Sequence, residues 1–383
     1  MITPCYTIHL NTFEKNCFDI MNAFETKWQG NVKYGYSVKT NHDAGLMRYA
    51  YEKLDWYIET VSPDEYKYGR EMGFDAQRTI FNGPCKKDML KKALEEGAYI
   101  NLDNLSEVAE LCDICMKSAN LIKREVLESR IGIRVNFNLE AECPGETTAQ
   151  EEVSRFGICC ENGDFARAVS MLRTSGIELS GLHMHTSTKT RSVGVFRALA
   201  AQVSKLVKQH NLKLKYVDIG GGYFGGQVIH GKPTMEQYAD AITSELKKSI
   251  SPQNTILILE PGAAVIASCV TYETSVLSVR DIRGVKVITL DGTFLHVNPF
   301  MVNRNQPYVL QNISEEELES RDRIEKQILG GCTCMENDRF ARLDNASEIR
   351  LGDILSFKYA GAYTMAFNSD FIIKPAQVRY VRD

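Results

Sequence analysis

Residues 32–61 read VKYGYSVKTNHDAGLMRYAYEKLDWYIETV, and the rest of the chain is parsed from this stretch. It opens on the β-type run VKYGYSV, passes through the helical DAGLMRYAYEKL and returns to a β-type run, DWYIETV. Apolar residues at helical spacing between two short aromatic and β-branched runs describe a strand–helix–strand unit. The unit then repeats. PDEYKYGREMG (63–73) leads to TIFNG (79–83), KKDMLKKALEEG (86–97) to YINLD (99–103), and LSEVAELCDICMKSA (105–119) to RIGIRVNFN (130–138). DFARAVSMLRTSG (164–176) precedes SGLHMH (180–185), and VGVFRALAAQVSKLVKQH (193–210) precedes KYVDIGGG (215–222). MEQYADAITSELKKSI (235–250) and TILILEPG (255–262) end the series. About eight strand–helix units in about 240 residues predict an α/β fold with parallel strands, a (β/α)8 TIM-type barrel.

After Pro261 the pattern changes to short β-rich runs: SCVTYETSVLSVRDI (268–282), GVKVITLDG (284–292), TFLHVN (293–298), RLGDILSFK (350–358) and PAQVRYVRD (375–383). They predict a second, all-β domain. TPCYTIHL (3–10) is also β-like, so the expected division is 1–25 with 265–383 as the β-domain and 26–264 as the barrel. The polar stretch ISEEELESRDRIEKQI (313–328) reads as a solvated helical face.

Composition narrows the class without naming a chemistry. The 383 residues carry 45 Lys+Arg against 49 Asp+Glu, a formal net charge of -4, and are 44% hydrophobic. This balance argues against nucleic acid as a partner. No apolar run approaches the ~18–20 residues of a membrane span, and MITPCYTIHLNTFEK lacks the character of a signal peptide. A soluble cytoplasmic protein is expected. The 11 Cys need no disulfides in a chain of this size, and the CxxC of Cys112 and Cys115 has no second ligand pair to make a zinc site.

In a β/α barrel the reactive groups sit at the C-terminal ends of strands. YSVKTN ends one strand with Lys39, placed for Schiff-base chemistry in a partly desolvated mouth. Gly220, Gly221 and Gly222 follow another strand and leave backbone N–H groups open to a phosphate. Glu260 ends the last strand and calls for a cationic partner. His183 and His185 share one face of their strand; with no third ligand apparent, stacking or hydrogen bonding suits them better than metal. A lysine, a phosphate cradle, a carboxylate and a flat imidazole are the contacts that pyridoxal 5′-phosphate demands.

The same stretches carry a resemblance. TPCYTIHL, YSVKTN, RIGIRVNFN, SRFGI (154–158), GLHMH, VDIGGG, LEPG, GCTCMENDRF (331–340), LGDIL (351–355) and GAYTMA (361–366) resemble, in order, the fold-type III pyridoxal-phosphate decarboxylases, the diaminopimelate and ornithine decarboxylase group. The resemblance implies a barrel and a β-domain, pyridoxal phosphate as cofactor, and a homodimer whose active sites are shared between subunits. It implies Lys39 as the cofactor lysine, His185 as the imidazole on the ring and Glu260 as the partner of the ring nitrogen. It places Arg134 beneath the cofactor, and Gly220–Gly222, Thr188, Gly262, Ala263 and Tyr363 around the phosphate. Cys334, supplied by the partner subunit, is implied as the proton donor after decarboxylation; Cys332 stands where the family has a proline. A carboxylate at the ring nitrogen speaks for decarboxylation, since the related alanine racemases place an arginine there. Relatives that survive only as binding proteins lack the lysine or the cysteine; Lys39 and Cys334 are both present.

Three departures bear on the substrate. The family's EPGR is EPGA here, with Ala263 last; the acidic residue after the cysteine is Met335; and FLHVNPFMVNRNQPY (294–308) matches poorly. A buried distal ammonium needs a paired carboxylate, which Met335 does not provide. The small-molecule substrate expected is therefore an amino acid, free or carrier-tethered, without a free distal ammonium. An ordinary diamino acid requires Glu336 or Asp338 to act from a shifted position.

Overall fold

A computed structural model describes residues 2–118, 122–148, 153–227, 229–300, 305–368 and 370–382. The chain divides into two compact units, Cys17–Ala264 and, drawn from both ends, Met1–Asn16 with Val265–Asp383. Strand β1 (Cys5–His9) belongs to the two-ended unit. The continuous unit holds β2 (Val32–Ser37), β3 (Tyr57–Thr60), β4 (Thr79–Phe81), β5 (Tyr99–Leu102), β6 (Ile131–Asn136), the short β7 (Ile158–Cys159), β8 (Gly181–His183), β9 (Tyr216–Asp218) and β10 (Ile256–Leu259). The order β5-β4-β3-β2-β10-β9-β8-β6 is closed by a β5–β6 pairing, with β7 appended to β6. Every pairing in the ring is parallel. Each of the eight predicted runs supplies one ring strand, so the barrel is present as read.

At the N-terminal end of the ring, buried Ile80, Tyr99, Tyr216 and Ile258 form a plug, with Tyr57 and Ile256 against it. The Tyr216 ring lies across β6 and β8. A Cβ at Gly132 would stand 2.3 Å from its hydroxyl oxygen, and one at Gly181 2.0 Å from its ring. Glycine in a strand costs about 0.5–1 kcal/mol, whereas burying one large ring contributes about 2–3 kcal/mol. The ring wins.

Helix starts follow local chemistry. Ser62 accepts from the Glu65 amide at the head of Pro63–Glu71, with proline and acidic residues in the first turn. Beyond β4, Lys86 is fully buried and donates to Glu107 Oε2 at 2.9 Å and to the Gly83 carbonyl at 2.8 Å. Glu107 also accepts from the Lys86 and Asp103 amides. Burial pulls the Lys86 amine down and the Glu107 charge pushes it back. Lys86→Met leaves that carboxylate without its cation and is expected to cost about 3–5 kcal/mol in equilibrium denaturant unfolding. A loss below about 1 kcal/mol would mean the pair behaves as a surface one.

In the two-ended unit, β11 (Val270–Ile282), β12 (Val285–Leu290), β13 (Tyr308–Leu310), β14 (Arg323–Gly330), β15 (Arg339–Ser347) and β16 (Ile354–Phe357) run in the order β13-β16-β11-β12-β14-β15. Strand β1 pairs antiparallel with β11 and parallel with β17 (Gln377–Val381).

Two local readings need correction. TFLHVN is not a strand: Phe294–His296 is a 3-10 turn headed by Thr293, whose hydroxyl accepts from the Leu295 amide. The stretch 313–328 is only half helix. Ser314 caps Glu315–Ser320, the chain leaves the helix at Arg321, and β14 follows. Arg321 is held there by a bidentate pair with Asp353. In the poorly matching 294–308 region, residues 301–304 lie outside the described residues. Among the described residues no helix is long and apolar enough to cross a membrane. None of the 11 cysteines is joined in a disulfide, and the buried Cys115 thiol is pushed up to about 11, first by burial and then by Cys112.

Candidate active site

The C-terminal ends of the ring strands gather an unusual density of buried polar groups. Two residues beyond the end of β2, the Lys39 amine meets the Glu59 carboxylate directly and donates to Ser37 Oγ at 3.1 Å. Its side chain is 29% exposed while that of Glu59 is 0% exposed, so the amine is the reachable member of the pair. Glu59 also accepts from Ser37 Oγ and from Asn82 Nδ2.

On β8 the rings of His183 and His185 lie 6.1 Å apart at 12°, the shared face expected from their spacing. His185 Nδ1 accepts from the Gly221 amide at 3.1 Å, so in the neutral ring Nε2 carries the hydrogen. Burial first, then the charges of Arg134 and Lys39, hold His185 well below the usual histidine range. Arg134 on β6 donates to the His185 carbonyl at 3.1 Å, approaches Asp103 at 3.6 Å and lies over the Phe156 ring at 4.6 Å.

Beyond β10, Glu260 is buried. Its Oε1 accepts from Asn82 Nδ2 at 2.5 Å, and its Oε2 stands 3.6 Å from His183 Nε2. His183, Asp218 and Glu260 bring ligating atoms within 4.8 Å of one another. Sequence spacing pairs His183 with His185 and finds no third group; closure of the ring brings two carboxylates from other strands to His183 instead. Burial and the neighbouring Glu260 raise Asp218 well above the carboxylate range, so it keeps its proton. Burial opposes ionisation of Glu260 too, but His183, Lys39 and Asp218 outweigh it, and Glu260 is the charged member.

The glycine run beyond β9 is tightly seated. Gly220 has φ 68°, and a Cβ there would lie 2.6 Å from His185 Nδ1; one on Gly221 would lie 2.2 Å from the Glu260 carbonyl. The Gly220 amide is tied to Asp218 Oδ1 at 2.8 Å. Gly222 is exposed, Gly262 is buried and Ala263 half-buried at the start of Ala263–Ile266. Thr188 forms a backbone bridge with Thr147. In the two-ended unit Cys334 is exposed, Met335 half-buried, and Tyr363 40% exposed in the left-handed region at φ 57°.

Comparison with known proteins decides what this arrangement belongs to. The family described as pyridoxal-dependent decarboxylase, pyridoxal binding domain, matches residues 10–267, and the corresponding C-terminal sheet domain matches residues 187–361. The chain belongs to the pyridoxal-dependent decarboxylases. Its cofactor is pyridoxal 5′-phosphate and its activity that of a carboxy-lyase acting on an amino acid. Diaminopimelate decarboxylase of Campylobacter jejuni is 26% identical over 99% of this chain and 93% of that one. The enzyme of Methanothermobacter thermautotrophicus is 24% identical over 97% and 85%. Among solved structures, diaminopimelate decarboxylase from M. jannaschii with L-lysine superposes with a TM-score of 0.82 at 20% identity, covering 99% of this chain and 87% of that one. Arginine decarboxylase of Paramecium bursaria Chlorella virus gives 0.79 at 19%, covering 99% and 96%. These structures share the fold.

The residues present fit the pyridoxal-dependent decarboxylases' cofactor. Among the described residues both ring nitrogens of His183 and the Nε of Arg134 are buried without a hydrogen-bond partner in this mouth. A reachable amine, an ionised carboxylate and a glycine run without side chains complete a donor set for an aldehyde, a ring nitrogen and a phosphate. Glu59, Asn82, Asn101, Asp103 and Asp218 were absent from the sequence reading. Each is a polar residue at or near the C-terminal end of an apolar β-run, and that is the available signal.

Proposed function

We propose that the chain removes the α-carboxylate of an amino acid, free or carrier-tethered, whose distal end bears no free ammonium. We assign it as a homodimer with active sites shared between subunits, working in the cytoplasm. The two-ended unit would be its β-domain and the ring its cofactor domain.

One observation carries the substrate reading. Asp338, a carboxylate close to Met335 in the chain, is already spent: its Oδ1 accepts from the Phe294 amide at 2.7 Å and its Oδ2 from the Thr333 hydroxyl and amide. Glu336 is paired with Arg339 at 2.9 Å. Asp338 is thus held by Phe294 and Thr333, and Glu336, 96% exposed, lies in solvent rather than in a buried pocket; an unpaired buried ammonium is prohibitive.

Lys39 would hold the cofactor's aldehyde, Glu260 its ring nitrogen and neutral His185 its ring face. The glycine run Gly220–Gly222 would leave room for its phosphate, with the backbone N–H groups of Gly222, Gly262 and Ala263 as donors, since the Gly220 and Gly221 amides already donate to Asp218 Oδ1 and His185 Nδ1. Thr188 and Tyr363 would stand beside it. When bound, the cofactor supplies an electron sink for the carbon that loses carbon dioxide. An ionised Glu260 accepts a hydrogen bond and so keeps a proton on the atom opposite it. Arg134 braces the His185 backbone, and Glu59 with Ser37 orients the Lys39 amine. Cys334 of the partner subunit would give the proton that replaces the carboxylate.

A second reading, an ordinary diaminopimelate decarboxylase, is favoured by the names of the relatives. Carbon dioxide release from diaminopimelate, ornithine and lysine separates the two. Little or no turnover of all three is expected, and robust turnover of any one of them overturns the proposed substrate class.

A further inference from the structure

Within the ring, four carboxyl groups (Glu59, Asp103, Asp218 and Glu260) gather with the basic groups of Lys39 and Arg134, and Asp103 also faces Lys86. Asn82 is wedged between two of these acids. It ends the run of β4, is 2% exposed, and its Nδ2 reaches Glu260 Oε1 at 2.5 Å and Glu59 Oε1 at 3.1 Å. The orientation of its amide follows from its partners. Ionised carboxylates only accept, so the atom between them must be the nitrogen. Its Oδ1 is fixed by Asn101 Nδ2 at 2.8 Å, and Asn101 Oδ1 accepts from Tyr216 at 2.8 Å. Every hydrogen-bonding position that would let the amide turn over is taken.

We propose that Asn82 is a positioning residue for the cofactor: one amide hydrogen holds Glu260 and the other holds Glu59. The lysine side and the ring-nitrogen side of the site are thereby fixed by a single side chain. This rests on the assignment of Lys39 and Glu260 to the cofactor. Occupying Oε1 leaves Oε2, 3.6 Å from His183 Nε2, as the Glu260 oxygen that Asn82 does not hold. The second hydrogen matters once Lys39 is engaged elsewhere, because among the described residues Glu59 then keeps Ser37 and Asn82 as side-chain donors.

The sign of the effect follows from the surroundings. The two carboxylates are faced by Lys39 and Ser37 from β2, Arg134 from β6, His183 from β8, Asp218 from β9 and Glu65 from the helix Pro63–Glu71. Removing a donor from a carboxylate in this acid-rich setting favours its protonated form.

The test titrates apo-protein with pyridoxal 5′-phosphate and follows its visible spectrum against pH. In the near-isosteric Asn82→Leu the acid-side midpoint is expected to rise by about one pH unit or more, and the cofactor Kd by about tenfold. Asn82→Ser, which keeps one donor, should fall between, and it serves as the measurement if the leucine variant does not fold. A merely structural role would lower the melting temperature and leave the midpoint of the loaded protein unmoved, which overturns the proposal alone. A wild-type protein that gives no lysine-linked spectrum, or a Lys39→Ala protein that keeps it, overturns the underlying assignment and the proposal with it.

Discussion

Lys39→Ala is expected to abolish the visible absorbance of lysine-bound cofactor and to lower kcat by about three orders of magnitude or more. The amine sits just beyond a strand end where one neighbour is a fully buried carboxylate, and among the described residues no other lysine pairs with Glu59. Deleting it leaves Glu59 with Ser37 and Asn82 as donors, so the protein should fold and still bind the cofactor's phosphate non-covalently. Absorbance and fluorescence after gel filtration give the readout. Persistence of the lysine-linked spectrum would refute the assignment and send the search to another amine.

Mixing two dead variants should restore activity. Lys39→Ala and Cys334→Ala are each expected to be nearly inactive, for different reasons: one lacks the amine that holds the cofactor, the other the thiol that delivers a proton. If each site takes Lys39 from one subunit and Cys334 from the other, random reassortment makes half the dimers mixed, with one of two sites intact. The mixture then recovers about a quarter of wild-type activity. Recovery depends on subunit exchange, so co-expression with two affinity tags and isolation of the doubly tagged species is the cleaner form. Mixed dimers without activity would place both residues of a site in one chain and remove Cys334 from its proposed role.

The barrel was legible because its signal is redundant. Eight apolar runs alternate with amphipathic stretches, and an error in one would not have changed the class. Lys39, Glu260 and the glycine run were legible because strand ends in such a barrel have a known use. Asn82, Glu59 and Asp218 were not. On their own strands they look like ordinary terminal polar residues, and their meaning arises only when closure brings β3, β4, β9 and β10 around one interior. The neighbours of His183 were hidden in the same way: spacing pairs it with His185, whereas the fold also brings Asp218 and Glu260 to it. The misread stretch 313–328 has another cause. Its charge density hides the strand RIEKQILG, where Gln327 and Leu329 turn inward and Gln327 bonds the Ala346 and Ser347 carbonyls.

Strand β1 carries a consequence for how the molecule is made. It is synthesised well before one of its two partners, β17, with Cys5 opposite Gln377. The residues from Cys17 to Ala264 form their own compact unit and need nothing downstream to close their ring. During synthesis the residues from Cys17 to Ala264 can therefore mature while β1 waits for β17 to be made. Pairing across nearly the whole chain length makes this the slow closing event. Until then an open β-edge is available to any neighbouring nascent chain. A chain cut short before residue 377 would carry a finished barrel and an unfinished sheet.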